Sequence, residues 1–251
     1  MSGIFTSSLG KKLLMSLAGI FLIVFLLVHM GLNLLLIIYE DPMVYNKVAH
    51  FMSSSILIKI FEIILFGGFL LHIIYALILQ IQNWIARPSR YNKANYSNTS
   101  FFSKFMIHTA IITLTFLVIH MMDFYIKAKL GHASEIIVDG VVYHDFVSEV
   151  VDKFKILPFV IFYIAAFVFL GFHLMHGFQS AFKTLGMDNR KYTPVIQVLA
   201  IFYCTLVVAG YSIIPVIRSA LLWMIRSSSA KLSSWFSYMM QERYLFSLQA
   251  D

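Results

Sequence analysis

The sequence predicts an all-α membrane protein, a bundle of five transmembrane helices. Its 251 residues are 60% hydrophobic and only 12% charged, more apolar surface than a water-soluble domain can hide. Five separate apolar stretches, roughly 13–38, 58–82, 105–126, 156–182 and 194–217, reach the length of about 20 residues that a helix needs to cross a bilayer. The charged residues collect between those stretches. Mean hydropathy is +0.82.

The first stretch follows Lys11-Lys12. It is too long for a signal-peptide core and carries no small-residue cleavage site, so it is expected to remain as a helix. The loop after it, 39–57, carries Glu40 and Asp41. Loop 83–104 is basic, with Arg87, Arg90, Lys93 and Lys104 and no acid. Loop 127–155 holds Glu135, Asp139, Asp145, Glu149 and Asp152 among a few lysines. Within it, Ile136 to Tyr143 reads as a small hairpin around an Asp139-Gly140 turn. Pro158 and Pro194 stand near helix starts, where a missing N–H costs little.

Loop 183–193 sets Lys183, Arg190 and Lys191 against Asp188 alone. By the positive-inside rule the N-terminus and the two basic loops are cytoplasmic, which leaves the C-terminus outside. Residues 1–217 form the five-helix domain. The tail 218–251 interleaves Arg218, Arg226, Lys231 and Arg243 with Leu222, Trp223, Trp235, Phe236 and Tyr244, as a segment lying on a membrane surface would.

Composition also excludes. The net charge of +7 clusters at the ends of the apolar stretches, so lipid headgroups explain it and nucleic acid does not. The single cysteine, Cys204, lies in an apolar stretch and rules out a disulfide framework or a cysteine-held cluster. No dinucleotide-binding loop or nucleophile triad is visible.

Four histidines sit inside four of the apolar stretches: His29, His72, His120 and His173. An ionisable side chain in hydrocarbon is costly and marks function by default. Helical rise converts sequence position into depth. His29 and His120 fall about 24 and 22 Å from the inner face, whereas His72 and His173 both fall about 15 Å from it. Two rings from different helices at one height can ligate one haem iron, so the four predict an outer pair, His29 with His120, and an inner pair, His72 with His173. Gly19, Gly67-Gly68 and Gly171 offer room for a porphyrin edge, although glycine also serves helix packing. Interhelical hydrogen bonding is the competing account of each histidine. His176 lies three residues after His173 on nearly the same face, and is either the fourth ligand instead or a contact to a haem propionate. His50, His132 and His144 fall in loops, and His108 faces away from His120.

Around these histidines the chain resembles the single-subunit, dihaem cytochrome b anchor of succinate:quinone oxidoreductases and fumarate reductases, the b558 type. The likeness runs over 8–217. It rests on Val28-His29-Met30-Gly31-Leu32-Asn33, Leu71-His72 with Tyr75-Ala76, Thr109-Ala110 ahead of Ile119-His120, and Phe172-His173-Leu174-Met175-His176-Gly177. The resemblance implies two b haems, with His173 rather than His176 as ligand. It implies docking of a flavoprotein and an iron–sulfur subunit on the cytoplasmic side of a bacterial inner membrane, with basic loops 83–104 and 183–193 as the surface to inspect. Homodimerisation of the complex is left open. Electrons would pass between the iron–sulfur subunit and membrane quinone, in this family often menaquinone. Some related fumarate reductases carry a proton-transferring glutamate two residues before the helix IV ligand. Here that position is Gly171, so that route is not expected.

Glu62 is the candidate for proton exchange with quinone. It lies ten residues before His72, about 15 Å farther out and so level with the outer pair. A carboxylate snorkelling to the interface beside Lys59 is the plainer account of it. Two other functions stay open: the cytochrome b anchor of another quinone-linked complex, of hydrogenase or formate dehydrogenase type, and a haem-free transporter or structural membrane protein. The broken helix pairs expected of a transporter are not visible.

Overall fold

A computed structural model describes residues 7–86 and 105–248, and side chains as far as 220. Helix α1 (Ser8–Ile38) is opened by Ser7, whose hydroxyl accepts from the Gly10 N–H at 3.0 Å. That bond satisfies one of the donors a helix start leaves free. Helix α2 (Pro42–Ser54) starts from Asp41, which accepts from the Met43 N–H, with proline in the first turn. After Ser55 comes α3 (Ile56–Ile85). Helix α4 (Met106–His120) runs directly into a π-helical turn, Met121–Ile126, and a closing α turn, Lys127–Lys129.

Strands β1 (Glu135–Val138) and β2 (Val141–His144) pair antiparallel, with Glu135 opposite His144 and Val138 opposite Val141. Asp139 and Gly140 take φ of 51° and 77°, the positive values a tight two-residue hairpin turn requires. Helix α5 (Phe146–Phe154) is capped by Asp145. Helix α6 (Leu157–Thr184) ends at Gly186, whose φ of 87° lets the Met187 N–H reach back to the Phe182 carbonyl at 3.1 Å. Helix α7 runs Tyr192–Leu248.

Five of these helices are long and apolar enough to cross a membrane: Ser8–Ile38, Ile56–Ile85, Met106–Lys129, Leu157–Thr184 and Tyr192–Ala220. Each coincides with one predicted stretch, the largest difference being at the first start, 8 against 13. The all-α membrane class follows. The loops are less empty than expected, because 39–57 holds α2 and 127–155 holds α5. At the expected boundary between 217 and 218 the helix has no break; it passes Pro215 and continues.

The bundle has one well-packed seam and one lipid-like flank. Helices α6 and α7 bury Val160, Tyr163, Phe167, Leu174 and Phe178 against Ala200, Tyr203, Val207 and Tyr211. Tyr203 and Tyr211 donate to the Ile23 and Leu26 carbonyls of α1 at 2.8 and 2.9 Å, which fixes α1 against the seam. Helix α3 buries no residue and exposes Ile63 at 73% and Leu70 at 60%, a surface that only hydrocarbon or another protein would cover. Helix α3 packs on α1, and α4 packs on α6. The histidines lie between these two helix pairs.

One end of the bundle is capped by α2, the hairpin and α5. Buried Asn46 ties them together: its amide donates to Asp145 at 3.0 Å and its carbonyl accepts from the Val147 N–H. Although burial opposes it, hydrogen bonds from Ser148 and Asn46 hold the Asp145 carboxyl below its ordinary value. Lys127 and Ser134 do the same for Glu149, also against burial. A carboxyl depressed in the folded state contributes stability above its unfolded pKa and loses it as pH falls through the folded one. Amide hydrogen exchange in 42–54 and 145–154 should therefore accelerate below about pH 4, while exchange in α6 does not. Unchanged exchange in the cap would contradict that coupling.

Candidate cofactor site

The four intramembrane histidines meet as two pairs. The rings of His29 on α1 and His120 at the end of α4 have centroids 5.8 Å apart and planes at 77°. Those of His72 on α3 and His173 on α6 lie 6.3 Å apart, also at 77°. Metal–imidazole bonds of about 2 Å, as for zinc, would separate two ring centroids across one ion by roughly 6 Å. Both pairs have that spacing.

Each ring is held by aromatic neighbours. Phe25 stacks on His29 at 5.4 Å, and Phe116 stacks on His120 at 5.6 Å. Both stacking residues lie one helical turn before their histidine, where helix geometry puts them on the same face. Tyr211 and Tyr163 approach His29 and His120 at 6.0 and 6.4 Å. Asn33 donates to the His29 carbonyl at 2.8 Å, lies 3.4 Å from both ring nitrogens of His29, and accepts from the Tyr45 hydroxyl of α2. Beside the other pair, a Cβ on Gly19 would stand 3.5 Å from His72 Cε1, so the α1 backbone lies against that ring.

The chemistry of this donor set suits a metal-centred cofactor. Nδ1 of His72, of His120 and of His173 is enclosed and has no hydrogen-bond partner. A buried imidazole nitrogen without a partner costs free energy, and simple interhelical hydrogen bonding would have satisfied it. His173 is the ring that faces His72. His176 lies one turn beyond it, toward Lys183.

The glycines divide. Gly19 serves the inner pair. Gly171 does not: a Cβ there would stand 2.5 Å from Cγ2 of Val208, so its smallness belongs to the α6–α7 contact. Gly68 faces Phe21 of α1, and nothing lies within 4 Å of Gly67.

Two carboxylate clusters flank His120, on opposite sides of the π-helical turn. On the α3 side Glu62 accepts from the Tyr125 hydroxyl and pairs with Lys129 at 3.0 Å. Its bonded partners thus come from the end of the third span rather than from Lys59. On the α6 side Asp123 pairs with Lys153 of α5 at 2.7 Å and accepts from the Tyr163 hydroxyl at 3.1 Å. Sequence reading passed over this second cluster. Its signal was present, since Asp123 is an acid inside the predicted span 105–126 and three residues after His120.

The remaining candidates are scattered. His50 packs on Tyr143, His144 lies 3.7 Å from Glu135, and His108 packs near Phe105. Cys204 is buried. Of the basic loops, 183–193 is a tight turn in which Lys191 lies over the Tyr192 ring. Residues 87–104 lie outside the described residues, as do the side chains of the tail beyond 220. The chain was compared with family models, with curated proteins and with solved structures, and it matches none.

Proposed function

We propose that this chain is the membrane anchor and electron-transfer subunit of a succinate:quinone oxidoreductase, with two b haems and with menaquinone as its mobile partner. The observation that carries the proposal is the pair of histidine pairs, each bridging two helices at the spacing of shared axial ligation. In this reading His29 and His120 hold one iron, and His72 and His173 the other. Haem b, when bound, supplies reversible one-electron exchange at its iron.

The chain's own residues supply position and protons. Phe25 and Phe116 fix the ring planes of the first pair, and Tyr211 and Tyr163 close round them. Glu62, held by Tyr125 and Lys129, sits at the capped end where it can exchange protons with water and with a quinone. The cytoplasmic N-terminus and a bacterial inner membrane belong to the same proposal, as does the docking of a flavoprotein and an iron–sulfur subunit at the end opposite the cap.

Purification of the tagged full chain from its own membranes tests the assignment. A succinate-oxidising flavoprotein and an iron–sulfur protein should co-purify. A hydrogenase or formate dehydrogenase subunit in their place would contradict it. In the same membranes, Glu62→Gln should slow quinone turnover about tenfold or more, the lower range for general acid–base groups, with both haem spectra intact. Unchanged quinone kinetics would remove Glu62 from the proposal.

A further inference from the structure

A cavity of about 220 Å³ opens on the side of the bundle where α4 meets the first turns of α6, lined by Ile119, Pro158, Phe159 and Phe162. Its walls are almost wholly apolar, and it lies at the level of the first histidine pair, since Ile119 directly precedes His120 in the chain. Phe162 packs on Phe116 at 6.2 Å, and Phe116 stacks on His120. One wall of the groove is therefore one aromatic ring away from a proposed iron ligand.

A charged group stands at its edge. The Lys153 ammonium lies 4.3 Å from the centroid of Phe159, a groove residue, while it pairs with Asp123. One of its three N–H donors is used by Asp123, and an ammonium can offer the others. Asp123 also accepts from Tyr163, the neighbour of Phe162 in the chain. An apolar slot with one cationic donor and a carboxylate–hydroxyl pair beside it is matched to a flat ring bearing carbonyl oxygens. The volume lies below the ~300 Å³ at which sites for whole drug-sized ligands begin. It suits a ring head whose hydrocarbon tail stays in lipid.

The geometry points to this groove as the binding site for the head of a membrane quinone, with Lys153 donating to a carbonyl oxygen and the Asp123–Tyr163 pair holding that ammonium in place. The inference rests on the quinone reading above. It puts the head group on the α6 side of the π-helical turn, across from Glu62. The turn makes this possible, because it sends Asp123 toward α6 and Tyr125 toward α3. Inserted turns of this kind are frequent at functional sites. A lipid acyl chain is the other hydrocarbon that could enter the groove, but it has no use for an ammonium at the rim.

Photolabelling tests it. The full chain in its native membranes is illuminated with an azido-naphthoquinone, and the labelled peptides are mapped by mass spectrometry. Label is expected within 119–123 and 158–162 and should be competed by excess menaquinone. Lys153→Met should weaken that competition about tenfold, as expected when a hydrogen bond to a charged group is lost. Lys155→Met, which alters only the exposed pair with Asp152, should leave it unchanged. Ile119→Trp fills the groove without touching the ion pair and should abolish the label. Label confined to other segments, or label displaced by excess phospholipid and not by menaquinone, would overturn the assignment. The haem spectrum of the same membranes separates the two readings. Haem bands with no label in the groove refute the groove alone, whereas absent haem bands refute the parent proposal.

Discussion

His173→Ala should reduce the haem content of the purified chain from about two per chain to about one, and His176→Ala should leave it at about two. The two residues stand three apart on one helix face, so sequence spacing alone does not separate them. Geometry does: the His173 ring lies 6.3 Å from His72, and its Nδ1 has no protein partner. Removing one of two axial bonds leaves an iron held on one side only and a hole in the bundle. Deleting His176 removes neither bond. His29→Ala should cause the complementary loss, leaving the haem of the other pair in place. The check is a pyridine haemochrome assay with a reduced-minus-oxidised spectrum on each variant. Retention of both haems in His173→Ala together with loss in His176→Ala would reverse the ligand assignment.

The second large effect is expected at Gly171, where related fumarate reductases carry a glutamate. Even one added carbon there would meet Val208 at 2.5 Å. Valine is stiff, because its branched side chain has few rotamers to retreat into. Overpacking of this kind costs about 1–3 kcal/mol, so Gly171→Ala should lower the midpoint of thermal unfolding in detergent by several degrees. Gly171→Glu adds a carboxylate to the best-packed seam of the molecule, where Ala166, Ala200 and Val207 are all nearly or fully buried. An unpaired charge buried there should prevent assembly of α6 on α7. Gly171→Glu protein that accumulates in membranes with unchanged unfolding would show that the seam is looser than the contact with Val208 requires. The absence of a helix IV carboxylate in this chain thus has a packing cause in α7.

Much of the fold was legible because a bilayer imposes long apolar runs. The five helices follow from hydropathy, and the hairpin follows from Asp139-Gly140 between β-branched residues. Helix α5 could have been read as well: Val147, Val150 and Phe154 fall at helical spacing behind the Asp145 cap. Helix α2 offered Asp41-Pro42, a cap followed by a first-turn proline. Both were lost among polar neighbours in segments read as loops. The π-helical turn at Met121–Ile126 has no comparable sequence signal, since its six residues suit an ordinary helix. Without that turn, the placing of Asp123 against Lys153 and Tyr163 could not be derived. Matching the histidines needed only the rise of a helix, because two depths and four helices leave one consistent pairing. The role of Gly171 was not legible, since its neighbour Val208 is distant in sequence.

The most direct test of the central claim is the haem-to-protein ratio of the wild-type chain, purified from its own membranes and read by pyridine haemochrome. The two histidine pairs predict about two b-type haems per chain, with low-spin spectra as expected for two imidazoles on each iron. A chain that is folded and membrane-inserted yet shows no Soret band would contradict the claim outright.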